Sequence, residues 1–448
     1  MSLPKFTVKV STPAPEGVGV KIDDFVAYMP AHNYIFTPCR ETWPASAVNA
    51  RLPRVPVLTK SGQPKRDKNG KPITTAPNTW LDQNRPVEQM TWCPGMPMQI
   101  KDRLVVLGGW IERKDVTCFN LYRPPLVVPG NAEKADPWVD HIRKIYPDDA
   151  EHIIMWLAHR VQRPEQKINH GLVLGGAQGI GKDTILAPVR YAVGTWNFFD
   201  VSPTHLLGRF NNFAKSVILR VDEARDLGDV DRFKFYDHTK IYTASPPEVL
   251  RVDEKNLREH YVFNVLGFLI TTNHKTDGIY LPADDRRHFV AWSNYTKEQF
   301  TKKYWNKLWR WYLADNGFPH VAAYLSQLDI SAFDPNAPPP KTPAFWDIVN
   351  ANIAPEDAEL ADVIDALGSP PALHLKLLIA AATGDIAEWL MNRKNRRAIP
   401  HRLERCGYVS VRNPNSKDGY WVIDGARQPV YAKNTLSVSD RLAAASKL

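Results

Sequence analysis

The chain has 448 residues, 44% apolar and 10% aromatic, enough to fill the cores of about three domains at roughly 150 residues each, which excludes a disordered tail or a fibrous chain. Lysine and arginine number 57 against 48 aspartate and glutamate, and the resulting net charge of +9 leans toward a polyanionic partner. Four widely spaced cysteines, Cys39, Cys93, Cys118 and Cys406, with no CxxC pair, argue against a zinc ribbon and a disulfide scaffold and for a reducing compartment.

The opening MSLPKFTVKV lacks the apolar core of a signal peptide. The most hydrophobic stretch, Val262 to Ile270, is interrupted by Asn264 and Gly267 and is too short to span a bilayer, so a cytoplasmic protein with no membrane partner is expected. Residues 1–130 read as a β-rich N-terminal domain: FVAYMP and NYIFTP form a hairpin around Ala31-His32-Asn33, and RLVVLGGWIER is a further strand. Between them the turn-rich loop 60–72 lies among Arg54, Lys60, Lys65, Arg66, Lys68 and Lys71, either as a solvated hairpin tip or as a phosphate contact. From 131 to 168 the apolar spacing changes to three and four, predicting two amphipathic helices, WVDHIRKIY and DDAEHIIMWLAHRVQ, as a helical collar.

Residues 169–332 alternate short apolar runs with polar segments, the pattern of an α/β parallel sheet, and end in two helical stretches. Here Gly176-Ala177-Gln178-Gly179-Ile180-Gly181-Lys182 follows an apolar strand and precedes the helical TILAPVRYAV. Strand, glycine turn and helix start are the context of a P-loop, in which backbone N–H groups and the helix N-terminus face a triphosphate and Lys182 reaches its β- and γ-phosphates. The pattern expects a Mg²⁺-binding hydroxyl after the lysine; this chain has Asp183, then Thr184, and either could serve the metal, although Asp183 brings negative charge beside the phosphates. Forty residues after Lys182 an apolar strand ends in Asp222 and Glu223, suited to holding Mg²⁺ and polarising water. The run VLGFLITTN ends in Asn273, which can orient water or simply cap a turn. Arg286 and Arg287 follow, able to stabilise phosphoryl charge on a neighbouring subunit or to form surface ion pairs.

This ordered set resembles superfamily 3 helicases, AAA+ ring ATPases of small viruses and phages, and more particularly the helicase half of phage and poxvirus-type primase-helicases. The resemblance is best over residues 135–300. It implies an AAA+ P-loop ATPase core using ATP and Mg²⁺, with Lys182 as the Walker A lysine, Asp222 and Glu223 as Walker B, Asn273 as the polar sensor, and Arg286 or Arg287 as an arginine finger across a homo-hexameric ring. It also implies a β-hairpin between Walker B and sensor whose lysine tracks single-stranded DNA, with Lys255 the first choice and Lys240 the second; the competing reading pairs Lys255 with Asp253 or Glu254 on a solvated turn. A phage-encoded protein of this kind would act in the host cytoplasm.

Residues 333–345, rich in proline, read as a stiff exposed linker to a separate module, 346–448. In that module IPHRLERCGY is helical, and YVSVRN, a PNSKDG turn, YWVID and PVYAK follow as a β-hairpin, the order of a winged helix. Arg393, Lys394, Arg396 and Arg397 just before it are either DNA-phosphate contacts or a solvated helix end. Asp229-Val230-Asp231 resembles a metal DxD but reads as a polar loop, and Trp305, Trp309 and Trp311 read as packing in preference to base stacking. Residues 1–130 offer only Asp23-Asp24 as a primase acid cluster, so the nucleotidyl-transfer half is expected to be missing or carried on another chain, as a separate primase or polymerase. Two function classes result: a DNA helicase that translocates as a ring on single-stranded DNA at a replication fork, or an origin-binding loader that uses ATP for assembly with weak turnover.

Overall fold

The structure, a computed structural model, describes residues 19–222, 228–255, 257, 259–275, 279–351 and 355–448, with the side chains of 228–231, 355, 356 and 397 left aside. The chain divides into two compact units, Met1–Trp346 and Asp347–Leu448.

The first unit is built on a five-stranded sheet: β1 (Gly171–Gly176), β2 (Phe198–Val201), β3 (Ile218–Val221), β4 (Gly267–Thr272) and β5 (His288–Ser293). Their order is β2-β3-β4-β1-β5 and all neighbours are parallel. Every residue of β1, β3 and β4 is buried, which is why these strands read as unbroken apolar runs: helices cover both faces of a parallel sheet. Leu172 lies opposite Leu269 on one side and Phe289 on the other, and this register aligns the carboxyl ends of β1 and β4. The chain leaves β1 toward β2 on one side, while β5 lies on the other, so a crevice opens at the carboxyl end of β1, where open α/β sheets bind ligands.

Six helices pack around it: α1 (Asp136–Ile145), α2 (Ala150–Gln162), α3 (Lys182–Val193), α4 (Gly228–Thr243), α5 (Lys302–Ala314) and α6 (Gly317–Gln327). α1 and α2 are the two amphipathic helices of the sequence; their Trp138 and Trp156 are fully buried, and Trp138 Nε1 donates to Ile185 O of α3 at 3.0 Å. Asp229 and Asp231 belong to the first turn of α4, not to a loop.

The N-terminal strands Phe25–Tyr28 and Asn33–Phe36 form the predicted hairpin, with Tyr28 opposite Asn33. RLVVLGGWIER is two strands where one was expected: Gln99–Val106 and Gly109–Asn120 fold back at Leu107-Gly108, because Gly108 and Gly109 take positive φ values of 104° and 121°. This sheet braces a second hairpin, Val249–Val252 with His260–Phe263: Thr91 Oγ1 donates to Tyr261 O at 2.8 Å, and the rings of Trp110 and Phe263 lie 5.1 Å apart.

The proline-rich segment is docked, a correction to the exposed linker expected from composition. Phe333 packs against the imidazoles of His152, His159 and His170, Asn169 N donates to Pro335 O at 2.8 Å, and Thr342 Oγ1 donates to Val290 O of β5 at 2.6 Å. Aromatic and backbone contacts with the sheet edge thus outweigh the solubility of its polar neighbours.

In the second unit, Leu360, Leu373, Leu378, Leu390, Leu403 and Tyr408 form a closed core. Tyr408–Val411 pairs with Val430–Lys433, which also pairs with Ala372–His374. The expected pairing of YVSVRN with YWVID does not form; Trp421–Ile423 pairs with Ala426–Gln428 instead, around Asp424-Gly425 with φ of 49° and 73°, the Asp-Gly signature of a type I′ turn. No described helix is long and apolar enough to cross a membrane.

Candidate functional site

The crevice at the carboxyl end of β1 holds a cavity of about 750 Å³, within the size range of small-molecule sites. Its lower wall is the loop from Gly176 into α3. Ile180 is fully buried and pins the loop, and Gly181, with φ of +101°, turns the chain into the helix. No side chain fits at Gly181: a Cβ would lie 2.4 Å from His141 Nε2 and 2.6 Å from the Trp305 ring. His141 is fully buried and its pKa is lowered to about 4, by burial first and by Lys144 as well, against a bond to Gly181 O. It is therefore neutral, donates from Nε2 to Gly181 O at 3.3 Å, and accepts the Tyr304 hydroxyl at Nδ1, 2.7 Å away. Tyr312 OH donates to Thr184 O at 3.0 Å, so α1 and α5 together fix the first turn of α3.

Lys182 Nζ reaches Gly176 O at 2.6 Å, Ala177 O at 3.1 Å and Asn273 Oδ1 at 2.7 Å. Two residues 91 positions apart in sequence thus meet across β1 and β4. Asp222, just past β3, lines the same cavity, and its Oδ1 accepts Thr271 Oγ1 at 2.8 Å.

A residue that went unread in the sequence organises this end of the sheet. Arg220, 8% exposed in β3, contacts Asp183 Oδ1 at 2.5 Å, Asp222 Oδ2 at 2.8 Å and Asp200 Oδ1 at 2.9 Å. Burial opposes its charge, but the carboxylates of Asp200, Asp183 and Asp222 outweigh that and raise the guanidinium above its ordinary pKa. The extra carboxylate that Asp183 brings is therefore compensated by a cation one strand away. The only signal was an arginine inside an otherwise apolar strand, SVILRVDE. Among the described residues no cluster of three or more His, Cys, Asp or Glu side chains could hold a metal. Thr184, 5% exposed, lines the cavity, and Glu223 lies outside the described residues.

The aromatic lining was not assigned to this site from the sequence: Phe300 and, from α5, Trp305, Asn306 and Trp309 line the same cavity, with the Trp305 ring against Gly181. All three tryptophans pack on aromatic neighbours, Trp305 on His141, Phe300 and Tyr304, and Trp309 and Trp311 on Tyr312; Trp305 and Trp309, half-buried, also line the cavity. Three tryptophans at helical spacing carry no mark of which one faces a ligand.

The remaining candidates lie elsewhere. Arg286 is exposed and Arg287 half-buried; with Lys240 they line a separate cavity of about 440 Å³, and neither arginine lines the Lys182 cavity. Lys240 pairs with Asp237 at 2.6 Å and lies over the Tyr236 ring. Lys255 is exposed between the strands of the Val249–Val252 hairpin. Asp253 and Glu254, its alternative partners, are taken by Arg209 at 3.0 Å and Lys215 at 2.5 Å, and among the described residues Lys255 has no ion-pair partner. In the second unit Arg393, Lys394 and Arg396 are exposed on the single-turn helix Arg393–Arg397; the Arg397 side chain lies outside the described residues.

The apo C-terminal region of NrS-1, residues 305–718, superposes with a TM-score of 0.60 over 91% of this chain and 95% of that one, at 14% identity. The chain shares the fold of that NrS-1 region. The A form apo structure of the same region gives 0.58 at 13% identity over 91% and 96% of the two chains. A JCV helicase overlaps 53% of this chain and 66% of its own at a TM-score of 0.30 and 11% identity. By sequence, residues 174–287 match DUF5906, a family of unknown function. No curated protein matches the chain.

Proposed function

We propose that the chain is an ATP-dependent DNA translocase of phage-type replication, a P-loop ATPase of the AAA+ superfamily 3 kind that works as a ring on single-stranded DNA. The observation that carries this reading is the convergence of Lys182, Asn273, Asp222 and the Gly176–Lys182 loop on one cavity at the switch point of a β2-β3-β4-β1-β5 parallel sheet. Lys182 Nζ donates to three neutral oxygens on the cavity wall, those of Gly176, Ala177 and the Asn273 side chain, and so sits where an anion can be met. The cavity is lined by the glycine loop and Lys182 together with the aromatic rings of Phe300, Trp305 and Trp309, which fits a nucleoside triphosphate.

In this reading the loop and Lys182 bind the phosphates, and Trp305 and Trp309 bind the base. Asp222 and Thr184 would hold Mg²⁺, which supplies charge neutralisation on the phosphate oxygens. Asp183 is engaged by Arg220 and serves the metal less directly than the sequence pattern suggested. Glu223 polarises water and Asn273 orients it. Arg286 or Arg287, away from the chain's own cavity, is available to a neighbour's, which supports a ring and the inferred homo-hexamer. Lys255, with no ion-pair partner among the described residues, tracks the strand from its braced hairpin, and Lys240, tied up by Asp237, is less suited. A primase or polymerase acts as a separate partner.

One observation favours a second reading. Both Asp183 and Asp222 are clamped on Arg220, which suits slow turnover and hence a loader or origin-binding ATPase whose second unit, winged-helix-like in this view, holds DNA. ATP hydrolysis with and without single-stranded DNA decides between them. The motor requires stimulation by the strand and its loss in Lys182→Ala and Glu223→Gln; an intact chain that is no faster with DNA than those variants removes it.

A further inference from the structure

The second unit has a cleft of about 900 Å³ that none of the chemistry above uses. It opens between the single-turn helix Arg393–Arg397, the helix Leu375–Ala381 and the loop 412–420. Four cations line it: Lys376, Arg396, Arg412 and Arg427, all exposed. One acid lines it, Asp418, and that carboxylate is already occupied by Arg427 Nη1 at 3.0 Å, Ser416 Oγ at 2.5 Å and the Tyr420 backbone N–H at 3.1 Å. Among the described residues Lys376, Arg396 and Arg412 have no acidic partner. Arg412 lies across Gly419, where a Cβ would come within 2.6 Å of its Nε, so the glycine is what lets the guanidinium lie there.

The cleft also has aromatic surface. Tyr420 stands at its rim, 43% exposed, and Tyr431 is buried at its floor beside Ile379 and Ile399. A cationic rim over aromatic and aliphatic faces is the combination that holds single strands: phosphates on Lys and Arg, bases stacked on rings. A duplex presents a convex surface and is read by a protruding helix or ribbon, which a concave cleft does not supply. Arg393 and Lys394, on the same single-turn helix, do not line it.

We propose that this cleft binds single-stranded DNA, with Lys376, Arg396, Arg412 and Arg427 on the phosphates and Tyr420 stacked on a base. The choice of DNA rests on the replication reading above; the cleft chemistry does not depend on ATP. In the full chain it gives the strand a second hold, separate from the Lys255 hairpin.

The test is anisotropy of a labelled oligothymidylate on the full chain, without nucleotide and in the Lys255→Ala background so that the hairpin does not mask the cleft. Each of Lys376→Ala, Arg396→Ala and Arg412→Ala is expected to weaken binding several-fold and to lower the slope of log affinity against log salt by about 0.7, the value for one phosphate contact on a single strand. Tyr420→Ala is expected to weaken binding roughly tenfold without changing that slope. Arg393→Ala and Lys394→Ala should do neither, and thermal melting verifies that all these surface variants remain folded. Unchanged affinity in the four cleft variants overturns the proposal, as does a duplex or polyglutamate that competes as well as the oligothymidylate. Because nucleotide is absent, such a failure leaves ATP turnover to be judged by its own assay, and a failure of turnover leaves the cleft standing.

Discussion

Replacing Arg220 by Met keeps much of the buried aliphatic volume and removes the cation from among three carboxylates. The consequences differ by residue. Asp200 keeps Arg190 and Asp222 keeps the Thr271 hydroxyl at 2.8 Å, whereas Asp183 has no other partner among the described residues. The Arg220 side chain is 10% exposed, but Asp183, Asp200 and Asp222 are 55%, 36% and 47% exposed, so each pair is partly screened. At about 0.5–1 kcal/mol for a partly solvated pair, three pairs sum to about 1.5–3 kcal/mol, below the roughly 3–5 kcal/mol for breaking a fully buried one. Arg220→Met should lower the unfolding free energy by that amount, read as a lower urea midpoint at constant slope. Asp183→Asn alone should cost about 0.5–1 kcal/mol, yet in the Arg220→Met background it should be neutral or stabilising, since it then removes an uncompensated charge. The cycle should thus show a coupling of about 0.5–1 kcal/mol or more. If the two substitutions add to within about 0.3 kcal/mol, the guanidinium does not compensate Asp183 and the account of the departure from the hydroxyl pattern is wrong.

Gly181→Ala should reduce ATP affinity more than tenfold and destabilise the first unit by about 1–3 kcal/mol, since the new Cβ meets His141 at 2.4 Å in a left-handed backbone; an unchanged ATP titration refutes the placement. Trp305→Ala should raise the KM for ATP roughly tenfold through lost stacking and Trp305→Phe should largely restore it, whereas equal KM values in all three proteins remove the base from this wall. Stability should fall on acidification. Burial lowers the pKa of His141 and His152 to about 4 and of His159 and His170 to about 3, so between the ordinary value of 6.5 and those values the unfolded chain binds more protons than the folded one. That contribution is complete above pH 6.5 and is lost on acidification at up to about 1.4 kcal/mol per pH unit for each histidine. Asp149, raised to about 6 by burial and then by Asp148, acts in the opposite sense as pH falls from about 6 to 4 and offsets one of the four. A melting temperature that stays flat from pH 7 to 5 would show that these histidines take up protons in the folded chain as they do in the unfolded one.

What the sequence determined by itself is what local chemistry dictates. A parallel sheet was legible because strands buried on both faces must be apolar throughout, and the collar because an amphipathic helix repeats at 3.6 residues. The Gly176–Lys182 loop was legible because a glycine turn between strand and helix leaves few alternatives. Tertiary structure alone decided which distant groups share a space. Asn273 meets Lys182 only because β4 lies beside β1, and Arg220 finds Asp183 only because β3 ends near the start of α3. Cations drawn out of solvent make the point most plainly: Arg160 is fully buried with its guanidinium donating to Val265 O at 2.7 Å, and the half-buried Lys167 donates to Asn264 Oδ1 at 3.0 Å and Leu266 O at 2.9 Å. Composition assigns such residues to solvent, and only the carbonyls that the fold gathers around them make burial tolerable. The docking of Phe333 and the choice among Trp305, Trp309 and Trp311 have the same origin, since a side chain's partners are set by surfaces that come together only when the whole unit closes.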